Sequence, residues 1–284
     1  MDYKLPSSNY LEQLPTNVLG SLLYYSPFFV KKKEIIIENM RRVFKNQLSE
    51  EQYQQLIKAF FSHTLLTIKE LIFKKCISRS QIDIRGISHL HQALKNGHGV
   101  ILLTGHFGNW ERTIQIDLPK LHGISNHKIC IIRRTQSPKL QMILNYLYKP
   151  FQFTRVDQVG SVQLIYKELK NNNVIVFPFD HRATQDKSHS IDVEFFGEKA
   201  SCFRSLALLV KCTGAIVLPL NHYRENLNRT VLEYSQALPW IKNTNTEQEI
   251  YDNTLQYNKI LEQFILHHPE QWWCWAYKRW KKKF

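Results

Sequence analysis

The chain has 284 residues, 43% of them hydrophobic, and a formal net charge of +14. This length and apolar content suit one large α/β domain or two small ones with a substantial core, and exclude a disordered chain. The charge favours an acidic partner (nucleic acid, an anionic membrane surface or an acidic protein) without choosing among them.

Five cysteines, Cys76, Cys130, Cys202, Cys212 and Cys274, form no C-x-x-C pair. Their odd number argues against a disulfide framework or a zinc site and for a reducing compartment. Met1 to Tyr10 lack the order of a secretory signal, and no run of about 18 apolar residues predicts a spanning helix. "VLGSLLYYSPFFVKKK" (18–33), broken by Pro27, joins an aromatic-rich apolar patch to three lysines. Two readings stay open for it: a segment lying in a membrane interface, or a core helix with a basic end.

Periodicity predicts helices through the first 85 or so residues. "EIIIENMRRVF" (34–44) has helical spacing, and the helix from Ser49 to Cys76 opens on a capping-box pattern, Ser49 with Gln52. Its stripe of Leu56, Ala59, Phe60, Leu65 and Leu66 reads as a core face. From residue 86 the texture changes. "HLHQALKNG" (89–97) is a helix closed by Gly97, and "GVILLTG" (99–105) a strand buried on both faces. A helix over 110–119, a strand over 127–135 and a helix over 137–148 follow. Helix–strand units at 161–181 and 202–223 and a final helix over 246–280, interrupted at a proline, complete the series. This alternation predicts an α/β fold, a central sheet covered on both faces, with residues 1–85 a helical segment and 86–284 the α/β core of one integrated domain.

No G-x-S-x-G, G-x-G-x-x-G, Walker loop or H-E-x-x-H is present, which disfavours a serine hydrolase, a dinucleotide or nucleotide site and a zincin. At the C-terminal end of the 99–105 strand, where open α/β sheets place their sites, stand His106 and Glu111 in "GHFGNWE". Gly105 and Gly108 allow a sharp turn and close approach of a substrate to the backbone, and Asn109 can cap the next helix. Glu111, in the first helical turn, can fold back on His106 and fix its tautomer, leaving the other ring nitrogen to accept a proton. With no serine or cysteine beside it in sequence, His106 would activate a substrate hydroxyl directly. For a bare H-x-x-x-x-E, a structural histidine with a solvent-facing glutamate is the commoner arrangement.

"LLTGHFGNWE" resembles the H-x-x-x-x-D/E signature of glycerolipid-type acyltransferases, and above all that of the late acyltransferases of bacterial lipid A synthesis, the lauroyl/myristoyl transferase family. "IIIENMRRVF", "RRTQSPKL" (133–140), "FPFDHRATQDKSHSIDVEFFGEKAS" (177–201), "GAIVLPL" and "HPEQWWCWAYKRWK" are similar to further blocks of that family, in order along most of the chain.

The resemblance implies a glycerolipid-acyltransferase-like mixed, mostly parallel sheet. It implies transfer of a fatty acyl group from a thioester, usually on acyl carrier protein though coenzyme A is possible, to a hydroxyl of a membrane glycolipid, a lipid A precursor. His106 would be the base, Glu111 its orienter, and Arg134 or its neighbour Arg133 the cation near the reacting carbonyl. Gly108, Asn109, Asp180, Arg182 and Phe196 would line the substrate site. No cofactor or metal is implied. The expected location is the cytoplasmic face of the cell inner membrane, with peripheral or monotopic attachment through the 18–30 patch and the basic tail "YKRWKKKF" (277–284). Asp180-His181-Arg182 departs from the family's Asp-x-Asp. Rival readings are another lyso-lipid or glycolipid acceptor, a non-catalytic lipid-binding relative, and a nucleic-acid-binding module; the last lacks any recognisable motif.

Overall fold

A computed structural model describes residues 6–7, 10, 14, 16–27, 30–72, 81–110, 113, 126–133, 153–157, 161–183, 188–226 and 228–280. Three helices come first: α1 (Val18–Tyr25), α2 (Val30–Phe44) and α3 (Glu50–Ile72). The capping box forms as the sequence predicts: Gln52 N–H donates to Ser49 Oγ at 3.3 Å, and Ser49 N–H to Gln52 Oε1 at 2.9 Å. Leu56, Ala59 and Phe60 are buried in the core, while Leu65 and Leu66 remain partly exposed.

Strand β1 (Gln81–Arg85) and helix α4 (Ile87–Lys95) lead into β2 (Val100–Thr104). Then come β3 (Ile129–Arg133), β4 (Phe153–Asp157), α5 (Val162–Lys170) and β5 (Val174–Pro178). A hairpin, β6 (Ser190–Phe195) and β7 (Glu198–Phe203), precedes α6 (Ser205–Thr213), β8 (Ile216–Asn226), β9 (Arg229–Tyr234) and α7 (Thr246–His267). Short 3-10 turns at Pro269–Gln271 and Trp273–Ala276 follow.

The main sheet has seven strands in the order β1-β9-β8-β2-β5-β3-β4. Strands β8, β2, β5, β3 and β4 are parallel; β9 is antiparallel to β8, and β1 runs with β9. The sheet is thus mixed and mostly parallel, as expected. β2 is buried at every position because both its faces are covered. Val100 and Leu102 pack with Leu90 and Leu94 of α4, whereas Ile101 and Leu103 join the larger core with α3, α6 and α7.

Several expectations need correction. β1 lies within the stretch read as helical and pairs along the sheet edge, so residues 1–85 contribute to the sheet itself. The consecutive buried strands over 99–105 and 127–135 are expected to be neighbours in the sheet, but β5 lies between β2 and the strand ending in Arg133. The expected helices over 110–119 and 137–148 fall outside the described residues except for Trp110 and Thr113. The final helix does break at the proline as expected: it stops at His267, because Pro269 has no N–H to continue the ladder. Of the tail, Arg279 and Trp280 are core residues. Arg279 donates to the Ser201 carbonyl at 3.0 Å and lies over the Phe195 ring, and Trp280 Nε1 donates to the Phe195 carbonyl. Residues 281–284 lie outside the described residues.

Candidate active site

β2 and β5 are parallel neighbours with Thr104 level with Pro178. Each strand delivers a polar side chain two positions past its end, His106 and Asp180. The Phe179 N–H donates to the Thr104 carbonyl at 2.8 Å and carries the ladder one step beyond the strands. The Asp180 carboxylate then grips His106 at two points. Its Oδ2 accepts the His106 backbone N–H at 2.8 Å, and its Oδ1 lies 2.7 Å from His106 Nδ1.

Asp180 is fully buried. Its Oδ2 also accepts Trp272 Nε1–H at 2.9 Å and the Cys274 thiol at 3.3 Å. Burial alone would raise its pKa; the charge and hydrogen bonds of His106, with His181 beside it, outweigh that and hold the carboxyl well below the usual range. An ionised carboxylate only accepts hydrogen bonds, so His106 carries its proton on Nδ1 and leaves Nε2 as the basic nitrogen. The His106 side chain is 12% exposed. Its ring meets Trp110 and His181 edge-on, with centroids at 4.7 and 4.4 Å.

The C-terminal segment forms the back wall. Phe107 and Trp272 make an antiparallel bridge, Trp273 N–H donates to the His106 carbonyl at 2.9 Å, and Gly108 N–H donates to the Gln271 carbonyl at 3.1 Å. On the other side, Glu70 of α3 accepts from Asn109 Nδ2 at 2.6 Å and from Arg224 Nη2 at 2.7 Å, and all three are buried. Burial pushes the Cys274 thiol up, an effect reinforced by Asp180, and burial lowers His222 to about 3.

The predicted site residues fare differently. His106, Gly108, Asn109 and Asp180 come together. The anticipated orienting role of Glu111 is filled at Nδ1 by Asp180; Glu111 itself lies outside the described residues, as does Arg134. Arg133 ends β3 opposite Asp157 in register, at the same sheet edge as the ends of β2 and β5. Arg182 follows Asp180 by two positions and is partly exposed. Asp180, expected to shape the site or bind polar groups of the acceptor, is enclosed by protein donors, because the Trp272 indole and the Cys274 thiol from the C-terminal segment close over it. The spaces beside Gly105 and Gly108 are likewise filled by Asp180, Phe107 and Gln271 rather than opened to a substrate. Phe196 is 1% exposed in the β6–β7 turn, and its N–H is held by Glu262. Trp272, Cys274, Glu70 and Arg224 were not anticipated as parts of the site; their partners are distant in sequence.

Among solved structures, the chain is similar to the 1-acyl-sn-glycerophosphate (LPA) acyltransferase PlsC from Thermotoga maritima, at 14% identity and a TM-score of 0.34, over 87% of this chain and 95% of that one. No curated protein sequence matches it. The model of the bacterial lipid A biosynthesis acyltransferases matches residues 11–282, nearly the whole chain, and the protein belongs to that family.

Proposed function

We propose that this O-acyltransferase moves a fatty acyl group from an acyl carrier protein thioester to a hydroxyl of a lipid A precursor, with His106 as general base and no covalent intermediate. The observation that carries this reading is the His106–Asp180 pair, 2.7 Å apart, at the ends of two adjacent parallel strands. His106 Nε2 takes the proton of the acceptor hydroxyl as its oxygen attacks the thioester carbonyl. The tetrahedral intermediate collapses, the C–S bond breaks, and the leaving thiolate takes the proton back from the imidazolium. Asp180 fixes the tautomer and stabilises the imidazolium while it exists. Cys274 is unsuited to act as an acyl carrier. It is 1% exposed and its thiol is held protonated by burial and Asp180, whereas a nucleophilic cysteine needs a low pKa and access.

Arg134, with Arg133 beside it, is proposed as the cation that stabilises the oxyanion or clamps a phosphate of donor or acceptor. The two roles separate kinetically. Loss of transition-state stabilisation lowers kcat and kcat/KM alike, and loss of uniform binding raises KM alone.

Attachment to the cytoplasmic face of the inner membrane belongs to the same proposal. Val18, Leu19, Leu22 and Tyr25 of α1 are exposed beside the lysines that open α2. Among the described residues, no helix is long and apolar enough to cross a membrane. The deciding experiment is mass spectrometry of membrane lipids from cells with and without the protein, and with His106→Ala. The reading requires one acyl chain to be gained on a lipid A precursor only with the wild-type chain. Gain on another lyso-lipid or glycolipid would keep the chemistry and change the acceptor, and no gain on any lipid would overturn it.

A further inference from the structure

We propose that His106, His181 and Cys274 form a binding site for a thiophilic divalent cation of the Zn²⁺ type, and that its occupancy switches the enzyme off. The binding half rests on geometry alone; the inhibitory half rests on the reading of His106 as the base.

The three residues come from three separate segments: the ends of β2 and β5, and the C-terminal 3-10 turn. One ligand atom from each lies within 4.8 Å of the others. Cys274 Sγ is 3.9 Å from His181 Nδ1, and the His106 and His181 ring centroids are 4.4 Å apart. In a tetrahedral zinc site, with metal–sulfur and metal–nitrogen bonds near 2.3 and 2.0 Å, ligand atoms stand about 3.5 Å apart. The widest separation in the cluster therefore needs to contract by up to about 1.3 Å. His181 can supply that movement, because it is only partly buried, with its ring edge-on to Tyr277 at 5.6 Å.

The donor set selects the metal. Two imidazoles and one sulfur suit zinc, cobalt or copper and disfavour magnesium and calcium, which take oxygen ligands. Three protein ligands leave a fourth position for water, the arrangement of open zinc sites. Asp180 supplies the outer partner such sites use: its carboxylate accepts from His106 Nδ1, which fixes the ring and leaves the other nitrogen to a metal. The charge also closes. Binding exchanges the thiol proton for the metal and releases that proton to solvent, and thiolate plus aspartate balance a dication in a buried setting. A metal on His106 takes the imidazole lone pair that would accept the hydroxyl proton, so the occupied protein cannot run the proposed reaction.

The test uses the purified full chain, stripped with a chelator and titrated with Co²⁺. The expected result is a thiolate-to-cobalt charge-transfer band with visible ligand-field bands of tetrahedral cobalt, both lost on adding Zn²⁺. His181→Ala and Cys274→Ser should each weaken binding at least ~10-fold. Cys212→Ser, at an exposed thiol away from the cluster, should leave the spectrum unchanged. Should Cys274→Ser fail to fold by circular dichroism, His181→Ala decides alone. No band with the wild-type chain, or a band undiminished in His181→Ala, overturns the site. Acyl transfer assayed in parallel keeps the two proposals apart. Transfer that is unaffected by saturating Zn²⁺ overturns the switch, and a cobalt site in a chain that transfers no acyl group overturns the proposed function while leaving the site standing.

Discussion

The carboxylate of Asp180 occupies the place that a side chain at Gly105 would fill. A Cβ on Gly105 would lie 3.0 Å from Asp180 Cγ and Oδ2 and 2.7 Å from the Phe107 ring. The glycine before the histidine is thus what lets the carboxylate reach both the backbone N–H and the ring of His106.

Gly105→Ala is therefore expected to leave a folded protein with a displaced dyad. An error of about an ångström at a reacting group can cost about 10²-fold in rate, so kcat should fall on that order with little change in KM. Steady-state kinetics with a matched circular dichroism spectrum checks this. Wild-type turnover would mean that the carboxylate does not set the rate.

His106→Ala removes the proposed base and should lower kcat by about 10²–10⁴-fold. Asp180→Asn should fall in the same range, since an amide in place of the carboxylate no longer stabilises the imidazolium or enforces the Nδ1–H tautomer. Glu111→Ala is expected to be milder than either, because the Nδ1 position is already served by Asp180. A Glu111→Ala loss exceeding that of Asp180→Asn would reverse the assignment of the orienting carboxylate.

How much of this was readable beforehand follows from where each signal lies. β2 was legible because both its faces are covered, which leaves an unbroken apolar run, and the start of α3 was legible because Ser49 and Gln52 cap it locally. β1 was not, since "QIDIR" on the sheet edge is partly exposed and has no apolar run. The β6–β7 hairpin turns through Phe196 and Gly197, both at positive φ; Gly197 signals the turn in sequence, and the phenylalanine does not. The site splits along the same line. His106 announces itself within one short motif, whereas its partner stands 74 residues away. Only the strand order, with β5 inserted between β2 and β3, brings Asp180 to it. Local spacing pointed to Glu111 because it contains no information about strand order.

Acid should destabilise the fold in two stages. Burial holds His63 and His222 at about 4 and about 3, below their ordinary 6.5, so the unfolded chain binds more protons as pH falls from 6.5. Glu270 is held at about 2 against burial by His268 and His63, below its ordinary 4.5, and its contribution is lost between 4.5 and 2. Both signs make stability rise with pH. Denaturant titrations should therefore show a loss of more than about 1 kcal/mol between pH 6.5 and 4.5, steepening below it. His222→Gln should flatten the first stage, and an unchanged slope in that variant would exclude His222 as a source.

Membrane attachment should depend on α1. Leu19 and Leu22 are 62% and 59% exposed on one side of the helix, and Gly20 seats the other side on α3 so closely that a Cβ would fall 2.0 Å from Ser62 Oγ. Burying one leucine is worth about 1.5–3 kcal/mol, so the Leu19→Glu, Leu22→Glu pair should weaken binding to anionic vesicles at least ~10-fold in a sedimentation assay. High salt should weaken wild-type binding further by screening the lysines. Undiminished binding by the double variant would remove α1 from the contact surface.

The Glu70–Arg224 pair offers a test of how the helical N-terminal part is joined to the loop that carries His106. Arg224 Nη2 and Asn109 Nδ2 both donate to Glu70 Oε2, and the side chains of the ion pair are 8% and 3% exposed. Removing one charge leaves the other buried without its counterpart, which typically costs about 3–5 kcal/mol, whereas replacing both by apolar groups of similar volume is often neutral. Arg224→Met alone and Glu70→Leu alone should therefore each lower stability by several kcal/mol on that scale, and the double variant should recover much of it. Activity is expected to follow a different course. The double variant no longer holds the Asn109 amide, and Asn109 lies three residues past His106 in the loop that places the base. Recovered stability without recovered kcat would identify Glu70 as a positioning residue acting through Asn109, and recovery of both would confine the pair to packing.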